Sequence, residues 1–285
     1  MIKRIAIVLI GILVVLVGKG LFYYSGFYSP PPSEMPSYEQ IVVPATPSTE
    51  FSDVYEKWEG TILIDRAHDN DFDIEELNVL TLRLISRGLT IDFYTEHDLE
   101  EQLLGGKEEG KRVLLEDAFV VVCPQSEFSK EERDTIDEFV SNGGKLLLIA
   151  DPTRQSEINI LSLQFGLIFE PGYLYNMKEN DTNYRNIFVT KFKENEITKD
   201  LEKIALYTAG SITSTDCGIA FGDENTFSSV IETRKGLSPI ALAQESKVLA
   251  IYDLTFIKEP YNGILSNNQL ISNIADWLAS PTKPF

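Results

Sequence analysis

Ala118-Phe119-Val120-Val121-Val122-Cys123 is apolar at every position. A strand of that kind has no face to offer water, so it belongs inside a sheet covered on both sides, usually by helices. The surrounding sequence supplies such neighbours. Thr61-Ile62-Leu63-Ile64-Asp65 reads as another buried strand. Asp73 and Glu76 are spaced as a capping box that opens a helix with Ile74, Leu77, Leu80, Leu84 and Ile85 on one apolar face and Gly88 as its stop. Leu89 to Tyr94 is a second strand, and Glu96 to Leu104 a short helix.

Beyond the central run, Ser129 and Glu132 form a second capping box, with Ile136, Phe139 and Val140 facing inward and Gly143-Gly144 ending the helix. Lys145 to Ala150 is a strand that ends at Asp151-Pro152, and a helix is expected from Glu157 to Phe165. From Pro171 to Lys235 the pattern weakens into short strand candidates and polar loops. It recovers with Pro239 to Gln244 and the strand Lys247 to Tyr252. A last helix over Asn268 to Leu278 turns Leu270, Ile271, Ile274, Trp277 and Leu278 inward. Strand–helix alternation with short connections predicts an α/β class, right-handed crossovers and a doubly wound, mainly parallel sheet.

Ile5 to Val17 is continuously apolar, and the stretch extends to Tyr24, 20 residues or about 30 Å of helix, the thickness of a bilayer core. Lys3 and Arg4 precede it, which predicts a transmembrane helix over residues 5–24, a cytoplasmic tail over 1–4 and an extracytoplasmic bulk. A cleaved signal peptide is the alternative. Between Val17 and Gly26 there is no small-x-small cleavage site and no lipobox cysteine, which favours an uncleaved anchor. Ser29-Pro30-Pro31-Pro32-Ser33 opens a linker expected over residues 25–56, leaving 57–285 as the folded domain.

Lys plus Arg number 25 against 44 Asp plus Glu, a net charge of -19. Three positive charges and no acids lie in the first 24 residues, so the remainder carries -19 minus 3, or -22. Nothing basic is left over to neutralise phosphates, and nucleic acid is excluded as a partner. Two Cys exclude a disulfide-stapled scaffold and a Cys-rich metal site, and two His leave little room for a His-based one. Asn180-Asp181-Thr182 is the single N-glycosylation sequon.

Three stretches carry a family likeness together: Ile64-Asp65-Arg66-Ala67-His68-Asp69-Asn70, then Gly143-Gly144 through Asp151-Pro152, then Tyr252-Asp253-Leu254-Thr255-Phe256 with Asn268 and the Asn273–Trp277–Leu278 helix. In their order and spacing they resemble the prokaryotic domain-of-unknown-function 4350 family, and they are similar to the extracytoplasmic parts of gliding-type ABC transporter accessory proteins. Both belong to the glutamine-amidotransferase-like superfamily. The resemblance implies a flavodoxin-like fold and a membrane-anchored protein of unassigned activity, often encoded near AAA-type ATPases or transporter components.

Amidotransferases of that superfamily place a nucleophilic Cys on the turn after a central strand, with a late His and Glu. The matching turn here reads Ala150-Asp151-Pro152, and the only histidines, His68 and His97, are early. The glutaminase triad is absent, and no catalytic residue is assigned. Doubly wound sheets bind ligands at the carboxyl ends of their strands. Asp65, His68 and Asn70 follow the first strand, Cys123 the third, Asp151 the fourth and Asp253 the last, so these are the candidate ligand-binding residues, with Asn268. A flavodoxin-like strand order would bring His68 towards Cys123, the pairing that makes a thiolate nucleophile, although Cys123 ends an apolar strand where cysteines are commonly inert.

Asp69-Asn70-Asp71-Phe72-Asp73 places hard oxygens at alternating positions, but Ile74 and Leu80 stand where an EF-hand needs Gly and Glu. That leaves looser calcium binding or a helix cap with solvated neighbours. Asp253 is expected to pair with Asn268 as a latch between the last strand and the last helix. Tyr173, Tyr175 and Tyr184 cluster in polar surroundings, as a recognition surface or as loop packing. The expected function is a non-catalytic extracytoplasmic binding or scaffolding module with no cofactor and no metal. Its expected partners are the membrane, through residues 5–24, and a membrane protein. A hydrolase with a non-standard site and a solute-binding receptor are the alternatives.

Overall fold

The structure is a computed structural model that describes residues 2–24, 46–95, 98–108, 111–230, 232 and 236–280. It has two units, 1–43 and 44–285. Among the described residues, the first is helix α1 (Ile2–Tyr24). Within Lys3–Tyr24 an 18-residue window has a mean hydropathy of 2.8, and the apolar side chains are exposed all round the helix. By length and composition this helix is able to cross a bilayer.

The second unit is a mixed α/β body. Its main sheet contains β1 (Gly60–Asp65), β2 (Leu89–Tyr94), β3 (Ala118–Val122), β4 (Lys145–Ile149), β5 (Lys191–Phe192), β6 (Gly218–Phe221), β7 (Ile240–Ala243) and β8 (Val248–Ile251). The spatial order is β2-β1-β3-β4-β8-β7-β6-β5. From β2 to β8 every neighbouring pair is parallel, whereas the β8–β7, β7–β6 and β6–β5 pairs are antiparallel.

Helices α2 (Asn78–Ser86), α3 (Leu99–Leu103), α4 (Lys130–Ser141), α5 (Ile158–Ser162) and α6 (Asn267–Ala279) cover the sheet. Successive strand residues point to opposite faces, and that period sorts the core into two layers. Ile62, Ile64, Val120, Val122, Leu147 and Ile149 join Leu80 and Leu84 of α2 and Leu270, Ile274 and Trp277 of α6. Leu63, Phe119, Val121, Leu146 and Leu148 join Leu99 and Leu103 of α3, Ile136 and Phe139 of α4, and Ile158 and Leu161 of α5. The uniformly apolar β3 is buried throughout, as a strand between two helical layers must be.

Several expectations need correction. Ile74 and Ile85 point outward, because Leu77, Leu80 and Leu84 already fill the sheet-facing side of their helix. That helix enters through a 3-10 turn, Ile74–Leu77. Glu96 and His97 lie outside the described residues, and α3 is shorter than expected because Leu104 starts a short hairpin. The weakly patterned middle is β-rich: besides β5 and β6 it forms antiparallel ribbons from Leu174–Asn176 with Thr226–Ser228 and from Asn186–Val189 with Ile204–Tyr207. Strands of two to four residues are too short to show a period of two. The sequon's Asn180 Nδ2 is engaged, donating to the Asn176 carbonyl at 2.9 Å.

The linker boundary also moves. Residues 46–56, expected in the spacer, are fastened to the body. Thr46 Oγ1 donates to Asp181 at 2.7 Å, Thr49 N donates to Gly263 O at 2.7 Å, and Asp53 takes hydrogen bonds from Arg83, Arg87 and Ser272. Arg87 is fully buried, and it spends its other donors on Asp276, Ser272 and the Arg83 carbonyl. Gly88 lies at φ 96°, and a Cβ there would sit 2.4 Å from Trp58 O, so glycine is required twice over where the chain crosses its own entry segment.

Candidate functional site

The carboxyl ends of the parallel strands bring most of the sequence-predicted residues together, though not as a reactive group. Asp65, at the end of β1, is fully buried. Its Oδ1 lies 2.9 Å from His68 Nδ1 and accepts from Ala67 N, and its Oδ2 accepts from Asn70 Nδ2 at 2.9 Å. Asn70 Nδ2 also donates to Val122 O at the end of β3, at 2.9 Å. The other His68 nitrogen, Nε2, faces Glu132 Oε1 at 3.3 Å, and the ring stacks on Phe128 with centroids 3.6 Å apart.

Burial alone would lower the His68 pKa, but the bond and charge of Asp65, joined by Glu132, outweigh it and raise it. With an acceptor at each nitrogen, the imidazolium is the form that satisfies both, and it has no lone pair with which to take a proton from a substrate. Glu132 was legible in sequence only as a helix cap. It does that as well, since its Oε2 accepts from Ser129 N at 2.8 Å. Tyr94 OH donates to Oε1 at 3.2 Å, and burial with the Glu132 charge raises its pKa.

Cys123 is not paired with His68. It packs with the α2 and α6 layer, whereas His68 stacks on Phe128 of the opposite layer. Its backbone is left-handed, at φ 41°, so the strained turn lies here and not within Ala150-Asp151-Pro152. The side chain is fully buried, and burial, with Asp151 and Asp71 nearby, pushes the thiol up to about 12 against the pull of Arg154. Such a thiol is protonated at neutral pH.

Asp151 Oδ1 accepts from Thr153 N at 2.9 Å and its Oδ2 from Leu254 N at 3.2 Å, which ties the end of β4 to the end of β8. Asp253 is fully buried and accepts from Tyr207 N and Thr255 N. Burial and the neighbouring Asp151 raise its pKa well above the usual carboxylate range. Asn268 does not pair with Asp253: its Oδ1 accepts from Arg83 at 2.7 Å and from Asn262 at 3.1 Å. The neighbouring Asn267 is fully buried and bonds the Ala205 backbone through both ends of its amide, at 3.0 and 2.8 Å, which ties the last helix to the Ile204–Tyr207 strand and not to the last strand. Sequence places the two asparagines side by side, and only the helix phase decides which one turns inward.

The loops after β1 and β3, which flank the point where the strand order reverses, are joined to each other. Gln125 N and Ser126 N donate to His68 O, Asp71 N donates to Cys123 O, and Ser126 Oγ donates to Asp69. Glu76, Arg154 and Lys258 add a second fastening, with Glu76 Oε1 2.6 Å from Arg154 and 2.9 Å from Lys258. Among the described residues, no group of three His, Cys, Asp or Glu side chains has the arrangement of a metal site. Two surface hollows, of about 520 and 400 Å³, lie beside α3 and α4, and none of the seven candidate residues lines them.

No protein-family model matches this chain, and neither does any curated protein. A ThuA-like protein from Parabacteroides merdae has 13% identity and a TM-score of 0.44, covering 81% of this chain and 93% of its own. The mmIFT52 N-terminal domain is similar over 79% of this chain and 100% of its own length, with a TM-score of 0.60. At 13% identity, that last likeness establishes a shared fold.

Proposed function

We propose that this chain is a single-pass, membrane-anchored, extracytoplasmic binding or scaffolding module of flavodoxin-like architecture, without glutaminase chemistry. It serves a membrane-protein complex of the ABC-type or AAA-ATPase-linked kind that the resemblance to the domain-of-unknown-function 4350 family suggests. The observation that carries this reading is the closure of the crevice where doubly wound sheets hold ligands. Asp65, Asn70, Asp151 and Asp253 direct their polar atoms to the protein's own groups, and the loops after β1 and β3 are bonded across the gap. The β2-β1-β3-β4-β8 order supports the flavodoxin-like assignment, and α1 supports the anchor.

One observation favours a second reading, a hydrolase. Cys123 follows a central strand in a left-handed conformation, which is where a nucleophile elbow would carry its reactive group. Its burial and raised thiol pKa weigh against it. The test is ammonia release from glutamine by the full-length protein in nanodiscs, alongside cross-linking of the tagged protein in its own membrane. The scaffold reading expects no turnover, and a membrane protein captured equally by wild type, Cys123→Ala and His68→Ala. Ammonia release abolished by Cys123→Ala would overturn it.

A further inference from the structure

Strand β2 ends the main sheet: among the described residues it pairs with β1 and with no other strand. An edge strand leaves alternate backbone N–H and C=O groups without a ladder partner, and proteins usually blunt such edges with Pro, charged side chains (Lys above all) or a bulge. Leu89-Thr90-Ile91-Asp92-Phe93-Tyr94 contains no Pro and no Lys, Asp92 is its single charge, and its register with β1 is unbroken.

The two faces beside this edge differ in chemistry. On one, α2 lies with Leu80 and Leu84 in the core and with Arg83 and Arg87 reaching α6 through Asn268 and Asp276. At about 100° per residue, Ile85 therefore falls on the flank away from α6, towards β2, whereas Leu82 points away from the sheet. Ile85 is 55% exposed, and Phe93, on the same face as Leu89 and Ile91, 39%. On the other face is Asp92, whose charge acts on Glu116, just before β3. Glu116 Oε2 is the one buried side-chain oxygen or nitrogen among the described residues with no hydrogen-bond partner. Burial and the charges of Asp92 and Asp117 push the Glu116 carboxyl up to about 7.

We propose that the open edge of β2 takes an extended partner segment as an added strand, with apolar side chains alternating with lysine or arginine. Alternate residues of an added strand project to opposite faces, so one set meets Ile85 and Phe93 and the other meets Asp92. A cation on the second set pairs with the Asp92 carboxylate and eases the acidic crowding around Glu116. A second copy of this chain fits poorly, because its own β2 would bring a further Asp92 to an already acidic face. The proposal rests on the scaffold reading and names the place where the scaffold takes hold.

The test selects peptides from a displayed random library on the full-length protein in detergent, then measures a synthesised winner by fluorescence anisotropy. Enriched peptides should alternate apolar residues with Lys or Arg, and the winner should bind about tenfold more weakly to Ile85→Asp and to Phe93→Lys. The exposed position of Ile85 keeps the first variant folded, which circular dichroism verifies. Asp92→Asn with Glu116→Gln should remove the preference for basic residues and keep the apolar spacing. No enrichment, acidic or unpatterned winners, or a dimer abolished by Ile85→Asp would each overturn the added-strand proposal. Equal binding to wild type and both edge variants overturns the edge alone, whereas glutamine turnover overturns the scaffold reading.

Discussion

His68 presents Nδ1 to Asp65 Oδ1 at 2.9 Å in a site where only 4% of the histidine is exposed. Because Glu132 occupies the ring's other nitrogen, this contact joins the loop after β1 to the start of α4. Its strength follows the proton. The folded pKa is raised, so the stabilisation is complete below the unfolded value of about 6.5 and is lost as pH rises through the folded value. His68→Gln should cost about 1–3 kcal/mol near pH 5.5, a gap that narrows at alkaline pH. Urea unfolding at a series of pH values measures this, and a pH-independent gap would exclude the imidazolium.

Glu76 behaves in the opposite sense. Burial works against its charge, but Arg154 and Lys258 hold the carboxyl down to about 2. Its contribution is therefore present above about pH 4.5 and drains away as pH falls towards 2. Glu76→Gln should cost about 2–3 kcal/mol at neutral pH and flatten the acid limb of the stability curve. Acid titrations of wild type and variant followed by circular dichroism would show this, and parallel curves would contradict it.

Arg87 is a buried cation that joins Asp53 to Asp276, and its removal leaves Asp53 with only Arg83 and Ser272. Arg87→Met should cost about 3–5 kcal/mol, and Lys should not restore it, because one ammonium cannot reproduce the fork that meets both Asp53 oxygens. Asp53→Asn should loosen the entry segment without unfolding the sheet. Limited proteolysis should then find new cleavage between residues 46 and 58, and an unchanged digest would refute the fastening.

The two cysteines should differ in reactivity. Cys123 is fully buried with its thiol raised to about 12, whereas Cys217 is partly exposed. Native protein treated with iodoacetamide should carry label at Cys217, and Cys123 should react only after denaturation. Peptide mass spectrometry reads this directly, and rapid native labelling of Cys123 would mean the elbow is open.

The layered body was legible because β1, β3 and β4 carry continuous apolar runs and the helices α2 and α4 carry capping boxes and glycine stops. Leu89–Tyr94 matches its expected bounds, and the five inward residues of α6 are all buried. The middle was not legible, because its strands are too short for a period to emerge. At the site, the proximity of Asp65, His68 and Asn70 followed from their nearness in sequence. The role of Glu132 did not, since the clamp on His68 depends on how α4 docks. Thr46 to Tyr55 reads as spacer by its proline and polar residues, yet Asp53 meets two arginines, Arg83 in α2 and Arg87 at its end, whose approach depends on the folded body.

That fastening has a mechanical corollary. Force arriving from the N-terminal direction first meets Thr46 on Asp181, then the backbone link from Thr49 to Gly263, then Asp53 held by α2 and α6. Tension applied at residue 46 meets several anchor points before it reaches β1, so the body resists being unravelled from its first strand.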